Sequence, residues 1–154
     1  MTDSSFQKKT KEATEILDIP RWLLQPIRDK LKREDRAMSG YLTTHVLDTA
    51  QGCPAEGLEI ELFRIEGDTR TSLRRLVTNA DGRTDEQILP AAEFATGTYE
   101  LVFHCGAYLD RTGAPGDAPR FLDVVPLRFG MAEEDHYHVP LLLSPFGYST
   151  YRGS

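Results

Sequence analysis

The stretch Leu58-Glu-Ile-Glu-Leu-Phe63 alternates apolar and acidic side chains before it ends on an aromatic residue. Successive side chains of a strand point to opposite faces of a sheet, so a period of two indicates a strand with one buried face and one face in water. This segment predicts that the chain builds its core from β-sheets.

Similar segments recur on both sides of this strand, with turn residues between them. Further strands are predicted over Tyr41–Leu47, Leu73–Val77, Thr98–His104, Phe121–Phe129 and Tyr137–Leu143. Irregular or short helical connections are expected over Ala91–Ala95 and Gly106–Arg111. Seven or eight short strands at this spacing predict an all-β fold, an antiparallel β-sandwich.

The composition changes near residue 40. All five lysines precede this point, and all twelve glycines lie at or after Gly40. Residues 1–40 carry nine basic and seven acidic side chains, whereas residues 41–154 carry nine and seventeen, which gives the net charge of −6. We therefore expect an N-terminal helical extension over 1–40 and a β-sandwich domain over 41–154.

The extension has the apolar spacing of a helix. Its apolar residues three or four positions apart are Ile16, Ile19, Leu23, Ile27 and Leu31. Asp18 and Pro20 suit a helix start, whereas Pro26 would interrupt the interior, so two short helices are expected rather than one. The extension is interpreted either as a docking or oligomerisation arm or as a helix packed on its own domain.

Composition and charge exclude several classes of protein. A net charge of −6 argues against a nucleic-acid-binding protein. No apolar run reaches the roughly 18 residues of a membrane span, and the N-terminus lacks the apolar core of a signal peptide, so we expect a cytoplasmic protein. The sequence has two cysteines, Cys53 and Cys105, which is too few for a disulfide framework or a four-thiolate metal site.

Three of the four histidines are candidates for proton transfer. His45 shares a strand face with Thr43 and Leu47, and His136 and His138 share a face because they are two residues apart. Two imidazoles on one face can bind zinc, activate water or only hydrogen-bond, and spacing alone leaves these alternatives open.

Arg83 and the chain end are two further candidates. Arg83 closes an Asp-Gly-Arg turn, where it is either a solvated loop residue or a fixed cation that binds a carbonyl or an anion. The stretch from Ser144 to Ser154 contains two tyrosines, Arg152 and no acidic side chain. It is interpreted as a tail held on the protein or as an edge strand with a polar end.

Three segments resemble the 5-hydroxyisourate hydrolase family. They are Leu42–Asp48 with Gly52-Cys-Pro-Ala55, Thr78–Arg83, and His136–Ser154. They occur in the family's order, and the terminal Tyr151-Arg-Gly-Ser154 is the most specific mark. The resemblance covers about residues 41–154 and leaves the extension unmatched.

The resemblance implies a transthyretin-like sandwich and the hydrolysis of 5-hydroxyisourate to 2-oxo-4-hydroxy-4-carboxy-5-ureidoimidazoline in urate degradation. It implies a homotetramer, a dimer of dimers with active sites where subunits meet, and no cofactor or metal. The implied catalytic residues are His45, Arg83, His138 and Ser154, with Tyr151 and Arg152 binding substrate and His136 as a further candidate. His45 is expected to be the base, with the reverse assignment to His138 nearly equal.

Two alternatives remain beside the enzyme. Transthyretin itself uses this fold to carry hydrophobic hormones, so a small-molecule binding protein is the first. A metal-binding or structural sandwich that uses His136 and His138 is the second. Fold alone does not decide among these three functions.

Overall fold

The computed structural model describes residues 20–37 and 40–153, and the chain divides into two units between Met38 and Ser39. The described part of the first unit is a helix, α1, over Arg21–Ala37. It continues through Pro26, so the predicted break at this proline is wrong. Pro26 lies one turn after the helix start. Its ring crowds a carbonyl group of the first turn, and its missing N–H costs the helix a single backbone hydrogen bond.

The apolar face of α1 is open to solvent. Leu23, Ile27 and Leu31 are 51%, 55% and 40% exposed. The other residues expected to form this helix and its start, Ile16, Asp18 and Ile19, lie outside the described residues. Within the described part of the chain, no helix is both long enough and apolar enough to cross a membrane.

Residues 40–153, the described part of the second unit, form ten strands and a short helix. The strands are β1 (Tyr41–Thr43), β2 (Val46–Asp48), β3 (Cys53–Pro54), β4 (Glu59–Glu66), β5 (Thr69–Val77), β6 (Gly97–His104), β7 (Val124–Met131), β8 (His136–His138), β9 (Leu141–Ser144) and β10 (Gly147–Ser149). The helix α2 covers Cys105–Arg111, and a single 3₁₀ turn covers Ala91–Glu93.

These strands form three sheets that enclose one apolar core. The two four-stranded sheets have the orders β5-β4-β6-β7 and β10-β9-β2-β3, and β1 pairs with β8. In β4 the side chains of Ile60 and Leu62 are buried in the core, whereas those of Glu59 and Glu61 are half-buried on the other face. The predicted all-β sandwich with a short helix is confirmed.

The strand count exceeds the expected seven or eight because two predicted strands are interrupted. Tyr41–Leu47 is divided at Thr44 and His45, and Tyr137–Leu143 is divided at Val139 and Pro140. The short strands β3 and β10 account for the remaining additional strands. β1 with β8 and β2 with β9 are parallel pairs within a sandwich that is otherwise antiparallel.

The two interrupted strands stay aligned across their breaks. Thr43 pairs with His138 before the break, and Val46 pairs with Leu141 after it. Backbone hydrogen bonds of 3.0 Å from Val139 to Thr43 and 2.9 Å from Leu141 to His45 bridge the gap. The Thr44 hydroxyl donates to the Val139 carbonyl at 2.7 Å. The alignment fixes which side chains face each other along both strands.

A tight turn over residues 79–83 lies against β2. The Asn79 side-chain oxygen accepts the backbone N–H groups of Asp81 and Arg83, and the Val46 N–H donates to the Gly82 carbonyl at 2.8 Å. Gly82 has a φ of +71°, and a Cβ there would collide with the Val46 carbonyl oxygen. Glycine is required at 82 because the turn must approach the strand so closely.

Replacing Gly82 with alanine should destabilise the protein and displace Arg83. Gly67 is the matched control because its φ is +58° but a Cβ there meets nothing within 4 Å. We expect Gly67→Ala to lower the free energy of unfolding by about 1 kcal/mol and Gly82→Ala by roughly 3 kcal/mol. Urea denaturation of both variants measures the difference, and equal losses would show that the close approach is unimportant.

Candidate active site

A cavity of about 510 Å³ opens beside β1 and β8. The described residues that line it are Tyr41, Thr43, Thr44, Arg83, Thr84, Asp85, Glu86, Gln87, His136 and His138. One wall comes from the paired strands β1 and β8, and the other comes from the segment that follows the Asn79–Arg83 turn. The cavity therefore depends on both the strand alignment and the docked turn.

The strand wall carries an ordered group of four side chains. Tyr41 lies opposite His136 in the register, and their rings stack at 4.1 Å with an angle of 11°. Thr43 lies opposite His138, and its hydroxyl is 2.9 Å from His138 Nδ1 and 2.8 Å from His136 Nε2. Both imidazoles are thus held on one face, as their spacing predicts.

Arg83 brings a positive charge to this wall. The guanidinium belongs to an exposed residue at the end of the docked turn, and it lines the same cavity as His138. Burial first, and then the charges of Arg83, His136 and His45, lower the pKa of His138 from 6.5. His138 is therefore a neutral imidazole near pH 7, able to accept a proton.

His45 is located in the break between β1 and β2. It is half-buried, and its ring lies close to Gly82 of the docked turn. Burial and the charge of Arg83 lower its pKa from 6.5, and they outweigh Asp81, whose backbone and carboxylate act in the opposite direction. His45 is not among the described residues that line the cavity, but its protonated form would lower the pKa of His138.

The chain end contacts this site through a backbone hydrogen bond between Gly153 and His138. The Gly153 N–H donates to the His138 carbonyl at 2.8 Å, so the tail runs antiparallel to β8. Tyr151 and Arg152 instead line a second cavity of about 300 Å³ beside β7. The Arg152 guanidinium is 3.2 Å from the Asp135 carboxylate and lies over the Tyr137 ring. Ser154 lies outside the described residues.

Sequence reasoning missed Thr43 and Tyr41 as site residues. The period of two already places Thr43 on the face of His45, but nothing in the sequence shows that β1 pairs with β8. In the described part of the chain, no group of three or more His, Cys, Asp or Glu side chains is arranged to hold a metal ion. The site offers imidazoles, hydroxyls and one guanidinium, a set suited to acid–base chemistry on a polar substrate.

A family model matches residues 42–153, which is most of the chain and all of the β-sandwich apart from its two ends. Its description is HIUase/Transthyretin family. The chain belongs to this family. The match begins after α1, so the helix lies outside the part that defines the family.

Relatives within this family include named enzymes. The chain is 63% identical over 117 residues to 5-hydroxyisourate hydrolase 2 of Rhizobium meliloti, a match that covers 75% of this chain and 98% of the relative. The structure of Klebsiella pneumoniae 5-hydroxyisourate hydrolase superposes with a TM-score of 0.61 at 38% identity, over 75% of this chain and 94% of that one. These matches confirm the predicted family resemblance.

A longer protein also contains the fold. The crystal structure of an (S)-allantoin synthase superposes with a TM-score of 0.71 at 47% identity and covers 75% of this chain. The match spans 44% of the length of the synthase. The transthyretin-like sandwich thus occurs both alone and as part of a longer chain.

Removing the Arg83 charge should raise the pKa of both nearby histidines. Arg83→Gln abolishes a repulsion that lowers the pKa of His45 and of His138, whereas Arg83→Lys keeps the charge and is the matched control. We expect the ring protons of both histidines, followed by NMR, to titrate at higher pH in Arg83→Gln than in the native protein. Unchanged titration curves would mean that the guanidinium lies too far away to act on them.

Proposed function

We propose that this chain is a 5-hydroxyisourate hydrolase that opens the substrate's six-membered ring to form 2-oxo-4-hydroxy-4-carboxy-5-ureidoimidazoline in urate degradation. The observation that carries the proposal is the 63% identity to a relative of that name over 98% of the relative's length. The cavity beside β1 and β8 supports it, because two imidazoles and a guanidinium face the same space.

The reaction needs a base and a site for negative charge. Water attacks the ring carbonyl, a histidine takes the water proton, and the carbonyl oxygen becomes an oxyanion that Arg83 stabilises. The ring C–N bond then breaks, and the same proton passes to the leaving nitrogen. Proton transfer of this kind contributes roughly 10²–10⁴-fold to the rate.

Each residue of the site has a proposed role. His45 is the base, with His138 as the alternative, and both have a pKa below 6.5 that leaves them neutral at pH 7. Arg83 and the other histidine hold the substrate. Ser154 hydrogen-bonds the base or the water, and its neighbour Gly153 is already paired with His138. No cofactor or metal enters the reaction.

Freshly generated 5-hydroxyisourate tests the function directly. The protein should accelerate the ultraviolet decay of this compound over buffer, and a chelator should leave the rate unchanged. His45→Ala, Arg83→Ala and His138→Ala should each lower kcat/KM by about 10²-fold or more, because each removes an acid–base or oxyanion contact. His104→Ala is the matched control, since His104 is the last residue of β6 and is not among the described residues that line this cavity.

The expected losses also have a pH signature. A neutral imidazole base gives the full rate above its pKa, and the rate falls as the pH falls through that pKa. Because the pKa values of His45 and His138 are both lowered from 6.5, the midpoint of this decline should lie below pH 6.5. If the native protein does not accelerate the decay of 5-hydroxyisourate at all, the enzyme proposal is wrong and a small-molecule binding protein becomes the better interpretation.

The proposal extends to assembly as a homotetramer, a dimer of dimers, in which Tyr151 and Arg152 contact substrate at a subunit boundary. Large aromatic side chains on one surface support it: Phe121 and Phe146 are 74% and 63% exposed, and their rings lie 6.4 Å apart. Exposed aromatic pairs of this kind are frequent in interfaces.

Residues 41–154 would form this cytoplasmic enzyme's catalytic domain, and residues 1–40 would form a helical extension.

Replacing Phe146 with aspartate should break this assembly. A buried carboxylate at a subunit contact is costly, so we expect sedimentation velocity to detect smaller species and the specific activity to fall. Deletion of residues 1–38 is the comparison, and it should leave activity unchanged. A Phe146→Asp protein that sediments like the native protein would show that this surface faces solvent.

A further inference from the structure

One hydroxyl group joins two of the site's imidazoles. Thr43 Oγ1 is 2.8 Å from His136 Nε2 and 2.9 Å from His138 Nδ1, both hydrogen-bond distances. A hydroxyl carries a single proton, so it can donate to one ring nitrogen and must accept from the other. The protonation states of His136 and His138 are therefore linked through Thr43.

Only two arrangements of neutral rings satisfy both contacts. In the first, His138 Nδ1–H donates to Thr43, Thr43 donates to His136 Nε2, and His138 Nε2 keeps a free lone pair. In the second, the bonds reverse, and a proton occupies His138 Nε2. Only the first arrangement leaves His138 ready to accept a proton from water.

We propose that Thr43 is a positioning residue that holds His138 in its base-competent tautomer and relays the accepted proton onward to His136. The proposal rests on the hydrolase function and assumes that His138, the alternative to His45, is the base. Water gives a proton to His138 Nε2, and the remaining hydroxide forms the bond to the carbonyl carbon. His138 Nδ1–H then passes to Thr43 Oγ1 as the Thr43 proton passes to His136 Nε2, which leaves His138 neutral and His136 cationic.

The reverse transfer completes the reaction without further reactants. The proton returns from His136 through Thr43, and His138 Nε2–H delivers it to the leaving nitrogen as the ring C–N bond breaks. The relay moves positive charge off His138, and the pKa of His138 is lowered by burial and by the charge of Arg83. A second imidazole that takes the proton relieves this repulsion.

The fold holds all three groups in position. Thr43 and His138 are register partners, and the 3.0 Å bond from the Val139 N–H to the Thr43 carbonyl fixes them there. Tyr41 stacks on His136 and restrains rotation of that ring. All three relay residues are half-buried, which limits competition from water.

Three variants test the relay. Thr43→Val removes the hydroxyl at constant shape, Thr43→Ser keeps it, and His136→Gln keeps a hydrogen-bond acceptor that cannot take a proton. Thr112→Val is the matched control, because Thr112 is half-buried and its hydroxyl bonds only to backbone carbonyls of α2. Steady-state kinetics and ¹⁵N NMR of the histidine rings are measured on each full-length protein, with the melting temperature as a check of folding.

The relay predicts a loss of at least about tenfold in kcat for Thr43→Val and His136→Gln, with KM within about threefold, since proton transfer and not binding is impaired. Thr43→Ser should recover most of kcat, and Thr112→Val should match the native protein. In the ¹⁵N spectra the native His138 should carry its proton on Nδ1, and Thr43→Val should shift it toward Nε2.

Other results would overturn the relay. Native kcat in Thr43→Val, or a Thr43→Ser protein as slow as Thr43→Val, would show that the hydroxyl is irrelevant. Native kcat in His136→Gln would show that the proton does not travel beyond Thr43. A native protein without activity would reject the hydrolase function instead, and the ¹⁵N spectra would still accept or reject the tautomer assignment.

Discussion

The parallel pairing of two interrupted strands is the constraint on which the rest of this structure depends. β1 and β2 pair with β8 and β9, and the same register holds on both sides of the break. A shift of one residue would move every side chain to the opposite face. Thr43, His136 and His138 would then no longer share a wall of the cavity.

The break in these strands also serves the site. Pro140 has no backbone N–H, so the ladder cannot continue regularly through it, and the Thr44 hydroxyl takes over one of the carbonyl partners. The interruption leaves His45 at a position where the turn ending in Arg83 can approach. Burial and then this guanidinium lower the pKa of both His45 and His138, so the docked turn contributes to keeping both histidines neutral.

The sheet formed by β5, β4, β6 and β7 has a different role. Its outer face is covered by ion pairs, in which Glu100, only 7% exposed, accepts from Arg70 at 2.9 Å and from Arg128 at 3.0 Å. The exposed aromatic residues of the second unit lie elsewhere, in the segments around Phe121 and Phe146. A surface whose charges are already paired suits solvent, whereas exposed aromatic rings suit contact with a second subunit.

The sequence by itself determined most of the strands and the shared face of His136 and His138, because these depend on local periodicity. It also identified the turn at Arg83 and, through resemblance, the family. It failed at Pro26 in α1, because one lost hydrogen bond near a helix start does not stop the helix.

Only the tertiary structure decided that Thr43 meets both histidines, that Arg83 lies beside His138, and that Tyr151 and Arg152 line a different cavity within one chain. The first two of these facts join residues about 55 to 95 positions apart. Periodicity reports the face on which a side chain lies, but strand pairing and turn docking set its neighbours, and both arise only when the core forms.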